Sequence, residues 1–153
     1  MKRYRSRRGL LAAIERVLRA NQPSFHRSPL DEVIELLCRG RHYSWVGIYL
    51  TTEGSPARQP LGAGGDPHPD AQALSGARSK ILISMELGTR AVGVLSAESA
   101  DENAFGVEDR VLLEKVAARL ARFLAGPGQY IVRRARNMAS AAKPGGSGTP
   151  SEK

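Results

Sequence analysis

Val92-Gly93-Val94-Leu95-Ser96-Ala97-Glu98-Ser99, followed six residues later by Phe105-Gly106-Val107-Glu108-Asp109, decides the fold of this 153-residue chain. It reads as a buried strand, a short polar loop and the start of a helix. Upstream lies the partner of that strand: Ser79 to Leu87, then Gly88-Thr89, then Arg90 to Ser99. Glycine first in a two-residue loop suits a type II′ hairpin turn. Regular pairing from that turn sets Met85 against Val92, Ile83 against Val94 and Ile81 against Ser96. Lys80 then falls opposite Ala97, on the other face from Glu98, unless a bulge intervenes.

Downstream, Leu113, Val116, Ala117, Leu120 and Leu124 recur on one face of a helix starting near Gly106. Asp109 sits in its first turn, where a carboxylate satisfies free backbone donors. Gly126-Pro127-Gly128 breaks the helix. Tyr130 to Ala142 has the spacing of a short basic helix, and the residues from Lys143 onward are rich in glycine and proline, as flexible tails are.

The N-terminal half supplies two more amphipathic helices. Leu10, Leu11, Ile14, Val17 and Leu18 predict one over 9–20. The second has Ser28 as N-cap, Pro29 in the first helical position and Asp31 and Glu32 in the first turn, with Gly40 as its C-cap. Tyr43 to Leu50 is aromatic and β-branched, a strand. Thr51 to Pro56 reads as a turn, Ala57 to Gly62 as a short strand weakened by Pro60, and Gly62 to Gly76 as loop. Helix, helix, strands, hairpin, helix describes an α+β domain: an antiparallel sheet with the N- and C-terminal helices packed on one face.

Composition is that of a soluble globular domain, 41% hydrophobic and 25% charged, and no apolar run reaches the roughly 20 residues of a membrane span. Leu10 to Leu18 is interrupted by Glu15 and Arg16, which does not suit a secretory leader. The single cysteine, Cys38, rules out an internal disulfide and fits a cytoplasmic setting. The net charge of +8 belongs to the ends. An arm over 1–8 carries Lys2, Arg3, Arg5, Arg7 and Arg8 with no acid, and a tail over 126–153 carries Arg133, Arg134, Arg136, Lys143 and Lys153 against Glu152 alone. The domain between them, 9–125, has 13 basic and 14 acidic residues. Basic arms of this kind contact nucleic acid or other polyanions, or serve only as solvated termini.

The residues Tyr43 to Leu50, Ser79-Lys80-Ile81 and Gly93 to Ser99 with the following helix resemble a GAF domain, from about Ser28 to Leu124. The pattern Trp45-x-x-x-Tyr49 is most similar to the branch containing the free methionine-(R)-sulfoxide reductases. The resemblance implies a pocket walled by the tryptophan and tyrosine, with acidic residues from the later strands. Here the implied ligand residues are Trp45, Tyr49, Ser96 and Glu98. By the strand period of two, Trp45, Gly47 and Tyr49 share one face, as do Val94, Ser96 and Glu98.

The chemistry of that branch does not carry over. Lys80 stands where the branch has a glutamate, and Ser96 where it has its first aspartate; only Glu98 keeps a carboxylate. Sulfoxide reduction passes through a sulfenic acid that a second thiol must trap, and this chain has one thiol. The segment Ala57 to Arg78 is also shorter than the helices and strand that cover the ligand in most GAF domains.

Other chemistry is thin. Asp66, His68 and Asp70 alternate in a proline-containing loop that does not converge on a metal, and no phosphate loop, catalytic triad or zinc signature is present, so neither a metal nor a cofactor is expected. Cys38 on an apolar helix reads as a small buried hydrophobe. The expectation is therefore a non-catalytic GAF-like protein, either a small-molecule sensor or a protein-interaction and dimerisation module in signalling. With no kinase, cyclase or DNA-binding pattern in these residues, its output would pass through a homodimer or a protein partner on the helices. The alternative is an adaptor that binds nucleic acid or another polyanion through the basic termini.

Overall fold

The computed structural model describes residues 6–21, 28–41, 43–51, 58–65 and 79–142. Eight elements follow in order: α1 (Arg7–Ala20), α2 (Pro29–Arg41), β1 (Trp45–Thr51), β2 (Arg58–Gly65), β3 (Ser79–Leu87), β4 (Arg90–Ser99), α3 (Val107–Ala125) and α4 (Gln129–Ala142). The strands form one antiparallel sheet in the order β2-β1-β4-β3.

One face of the sheet is apolar and carries the helices. Val46 and Ile48 of β1, Ile81, Ile83 and Met85 of β3, and Leu95 and Ala97 of β4 are buried with Leu10 and Ile14 of α1, Leu30, Val33 and Leu37 of α2, and Leu113, Val116 and Leu120 of α3. Alternation along β3 is strict, with Ile81, Ile83 and Met85 buried and Lys80, Leu82, Ser84 and Glu86 exposed. This is the pattern of a strand with one face on a core.

The helix starts follow local chemistry. Ser6 Oγ accepts from Gly9 N at 3.0 Å, which carries α1 two residues beyond the expected start at residue 9. At α2 the cap is reciprocal. Leu30 N donates to Ser28 Oγ at 3.2 Å, and Ser28 N donates to Asp31 Oδ2 at 2.9 Å. Gly40 does not end α2, which runs to Arg41, and the Arg41 guanidinium has a buried carboxylate partner. Asn21 closes α1 in the left-handed region at φ 46°, and Tyr130 Oη donates to its Oδ1 at 2.7 Å, joining α1 to α4.

The strands hold the main corrections. The first begins at Trp45, two residues later than expected. The second is longer than Ala57 to Gly62, running from Arg58 to Gly65, and it takes residues expected to be loop. Its register skips Leu61, with Gly62 opposite Ile48 and Pro60 opposite Tyr49. A bulge on an edge strand is where proline is tolerated. The hairpin has its expected ends and turn: Gly88 takes φ 68° and Thr89 does not follow it into positive φ, as a type II′ turn requires. Its register is shifted by one residue. Val92 bulges between the pairs Met85↔Gly93 and Glu86↔Ala91, so Ile83 faces Leu95 and Ile81 faces Ala97. The turn at 52–56, most of the loop at 62–76 and the tail from 143 lie wholly or mainly outside the described residues.

One buried polar cluster clamps the helices to the sheet. Asp109 Oδ1 accepts from Arg41 Nη2 at 3.0 Å, from Arg41 Nε at 3.3 Å and from Tyr43 Oη at 2.6 Å. Its Oδ2 accepts from Gly106 N at 3.2 Å. The end of α2, the lead into β1 and the first turn of α3 thus meet on one carboxylate, with Phe105 tilted on Tyr43 at 5.2 Å. Burial works against the Arg41 charge, but the hydrogen bond and charge of Asp109 outweigh it and hold the guanidinium pKa above its usual value. For Tyr43, burial and then the bond to the carboxylate push the phenol pKa up.

Asp109→Ala leaves Arg41 buried without its carboxylate and is expected to cost about 3–5 kcal/mol in urea unfolding. Arg39→Ala, which removes the exposed pair with Glu35, is expected to cost no more than about 0.5 kcal/mol. Equal effects would contradict the clamp. Because the folded state holds the Tyr43 proton more tightly than the unfolded chain, its contribution is whole below pH of about 10 and is lost as pH rises past that value. Tyr43→Phe should therefore flatten the alkaline fall of stability, measured as urea midpoints between pH 8 and pH 11.

Candidate functional site

The face of the sheet away from α1, α2 and α3 gathers the residues that the sequence singled out. β1 pairs with β4 as Trp45↔Glu98, Gly47↔Ser96 and Tyr49↔Val94. Directly paired residues in an antiparallel sheet point to the same side. Trp45, Tyr49, Ser96 and Glu98 therefore lie together, as two adjoining rows. Ser96 is 4% exposed and Glu98 8%, while Trp45 and Tyr49 are half-buried.

The hairpin bulge changes the third row. Lys80 pairs with Glu98 and Leu82 with Ser96, so Lys80 stands on the same face as Glu98, contrary to the expected pairing with Ala97. An ammonium and a carboxylate thus occupy neighbouring positions at one end of this face. The expected separation failed because a single extra residue, Val92, reverses the side-chain parity of everything beyond it on β4.

Backbone contacts hold this end in place. Ser44 donates to Glu98 O twice, from N at 2.8 Å and from Oγ at 3.1 Å. Beyond β4, Asp101 N donates to Ser99 Oγ at 3.1 Å, and Ser79 Oγ donates to Asp101 O at 2.6 Å. Glu98 sits at a strand end with its main chain tied on both sides. Gly47 matters because the Tyr49 ring lies over it: a Cβ there would stand 2.6 Å from Tyr49 Oη and 2.9 Å from its Cζ.

Cys38 is elsewhere. It lies half-buried on α2, with Sγ 3.8 Å from the carbonyl of Gly64, on the helix side of the sheet. Among the described residues no three His, Cys, Asp or Glu side chains come together as a metal site. Asp66, His68 and Asp70 lie outside the described residues, as do Arg3 and Arg5.

The remaining basic residues fall into two places. Arg7 and Arg8 are exposed in the first turn of α1, and Arg7 Nε stands 4.0 Å from Glu108 Oε1 at the start of α3. Arg133, Arg134 and Arg136 are exposed on α4, which follows the far end of α3. At 1.5 Å per residue, α3 is roughly 28 Å long, so these two groups do not form one patch. α4 itself is docked, burying Ile131 and Ala135. The partners of Asp109 were not readable in advance: Arg41 is 68 residues away, and no local pattern marks a bond over that distance.

No protein-family model and no curated protein sequence matches the chain. Solved structures do. The free methionine-R-sulfoxide reductase of Neisseria meningitidis, determined with its substrate, superposes with a TM-score of 0.67 at 21% identity, over 85% of this chain and 98% of that one. The GAF domain of an Acinetobacter phosphoenolpyruvate-protein phosphotransferase gives 0.67 at 14% identity, over 84% and 98%. The Staphylococcus aureus free methionine-R-sulfoxide reductase with its substrate gives 0.65 at 14% identity, over 81% and 99%. The chain therefore has the GAF fold, shared with a phosphotransferase domain and with enzymes. Among the described residues no helix is long and apolar enough to cross a membrane.

Gly47→Ala is expected to push the Tyr49 ring aside at a cost of about 0.5–1.5 kcal/mol, the range for an off-rotamer side chain. Near-UV circular dichroism should change while the far-UV spectrum stays the same. An unchanged near-UV spectrum would show that the ring does not rest on Gly47.

Proposed function

We propose that this GAF-fold protein is a non-catalytic sensor that binds a small zwitterion on the face of its sheet away from α1, α2 and α3. It passes the bound state to a second copy or a protein partner through its helices. The observation that carries this reading is the double pairing of Glu98, with Trp45 on one side and Lys80 on the other. A carboxylate and an ammonium side by side complement a ligand with both charges, and the Trp45 and Tyr49 rings supply apolar walls of the kind small-molecule sites use. Two of the superposed structures are reductases of a free amino acid determined with substrate, which makes methionine sulfoxide a reasonable first probe.

A sulfenic acid on Cys38 would form on the wrong side of the sheet and would find no second thiol in the chain. Transmission through helices is supported by a groove of about 570 Å³ between α1 and α3, where Leu11, Ala12 and Val111 lie beside Arg8 and Lys115.

Trp45 is the sole tryptophan, so its emission reports on this face alone. Titration with methionine-(R)-sulfoxide is expected to give a saturable change in Trp45 emission, weakened by about tenfold in Glu98→Gln, as loss of a charged hydrogen-bond partner implies. A coupled thiol-reductant assay is expected to show no turnover. Turnover that disappears in Cys38→Ser would make the protein an enzyme and overturn the reading. A saturable emission change that Glu98→Gln leaves intact would move the ligand away from Glu98.

A further inference from the structure

A second groove, of about 610 Å³, lies on the helix side of the sheet, between the tip of the β3–β4 hairpin and α4. Its volume is within the roughly 300–1,000 Å³ of small-molecule sites. Leu50 and Leu124, each 4% exposed, belong to its floor, and Leu87 and Val132 continue the apolar surface outward. Leu87 is 39% exposed, one of few large apolar side chains so open among the described residues.

Three arginines line the same groove. Arg90 comes from the hairpin just after its turn, and Arg133 and Arg136 come from α4, at positions that with Gln129 and Val132 form one helix face. Among the described residues no acidic side chain lines it, and none of the three arginines is paired with a carboxylate. Three like charges around one groove repel each other, and an anion between them relieves that repulsion. Inorganic phosphate would satisfy the arginines but leave the leucine floor wet. A neutral hydrocarbon would do the reverse.

We propose that this groove binds a single-chain amphipathic anion, a medium- or long-chain carboxylate. Its acyl chain lies on Leu50, Leu87, Leu124 and Val132, and its head group is held by Arg90, Arg133 and Arg136. The site is independent of Trp45 and Glu98, which lie across the sheet, so methionine sulfoxide should not compete for it.

The test is calorimetric titration of the full chain with dodecanoate below its micelle concentration, with butyrate and dodecyltrimethylammonium as controls. Dodecanoate is expected to bind saturably and the two controls not to bind. The triple variant Arg90→Gln/Arg133→Gln/Arg136→Gln should weaken binding by at least about tenfold, with an unchanged far-UV spectrum. If the triple variant loses helical signal, single variants at Arg90 and Arg136, both exposed, should each weaken binding in the same direction. The proposal is overturned if dodecanoate does not bind, or if the variants bind it as tightly as the parent. Equal binding of the cationic probe, or attachment only to anionic phospholipid vesicles, overturns it equally.

Discussion

The pairing of β1 with β4 is the constraint on which both sides of this molecule depend. It places Val46, Ile48 and Leu50 with Leu95 and Ala97 beneath the helices, and the same bonds place Trp45, Gly47 and Tyr49 with Glu98, Ser96 and Val94 on the opposite face. A slip of one residue on either strand would exchange the two sets. Core and candidate site are therefore specified together, and burial of the leucines on one face fixes which side chains the other can offer. Two hydrogen bonds from Ser44 to the carbonyl of Glu98 set the end of this ladder.

The Asp109 cluster extends that constraint to the helices. Its carboxylate accepts from the last residue of α2, from the residue two before β1 and from the backbone that opens α3. A buried ion pair is seldom a large net source of stability, because both charges lose water. Its value here is directional: the junction of α2 and β1, at Arg41 and Tyr43, meets the start of α3, more than 60 residues away in sequence, on one carboxylate. The surface pair Arg110–Glu114, by contrast, is exposed on a single helix and fixes nothing beyond it.

Much of this was legible in the sequence, for local reasons. The hairpin ends follow from Gly88 and the alternation of β3, and the start of α2 from Ser28, Pro29 and Asp31; each signal sits within a few residues of its effect. The same-face grouping of Trp45, Tyr49, Ser96 and Glu98 needed only the strand period and the antiparallel pairing. What was not legible depends on longer reach. The bulge at Val92 carries no glycine or proline of its own at the extra position, yet it decides whether Lys80 faces Glu98 or turns away. β2 looked short and weak because of Pro60, and Gly64 and Gly65 fell in what read as loop; pairing with β1 along an edge overrides that, and the missing side chains of Gly62 and Gly64 let Ile34 of α2 approach. Asp109 showed its role at the helix start but not its bonds to Arg41 and Tyr43.

The functional picture has a face with opposite charges beside two aromatic rings, a sole thiol on the other side of the sheet, and a fold shared by reductases and a phosphotransferase domain. Everything in it that concerns ligand chemistry turns on the register of β4. Cross-strand nuclear Overhauser contacts in a labelled sample measure that register directly. The account predicts contacts placing Glu98 opposite both Trp45 and Lys80, with Leu95 opposite both Ile48 and Ile83. Contacts placing Ala97 opposite Lys80, as a hairpin without the Val92 bulge would give, would contradict it.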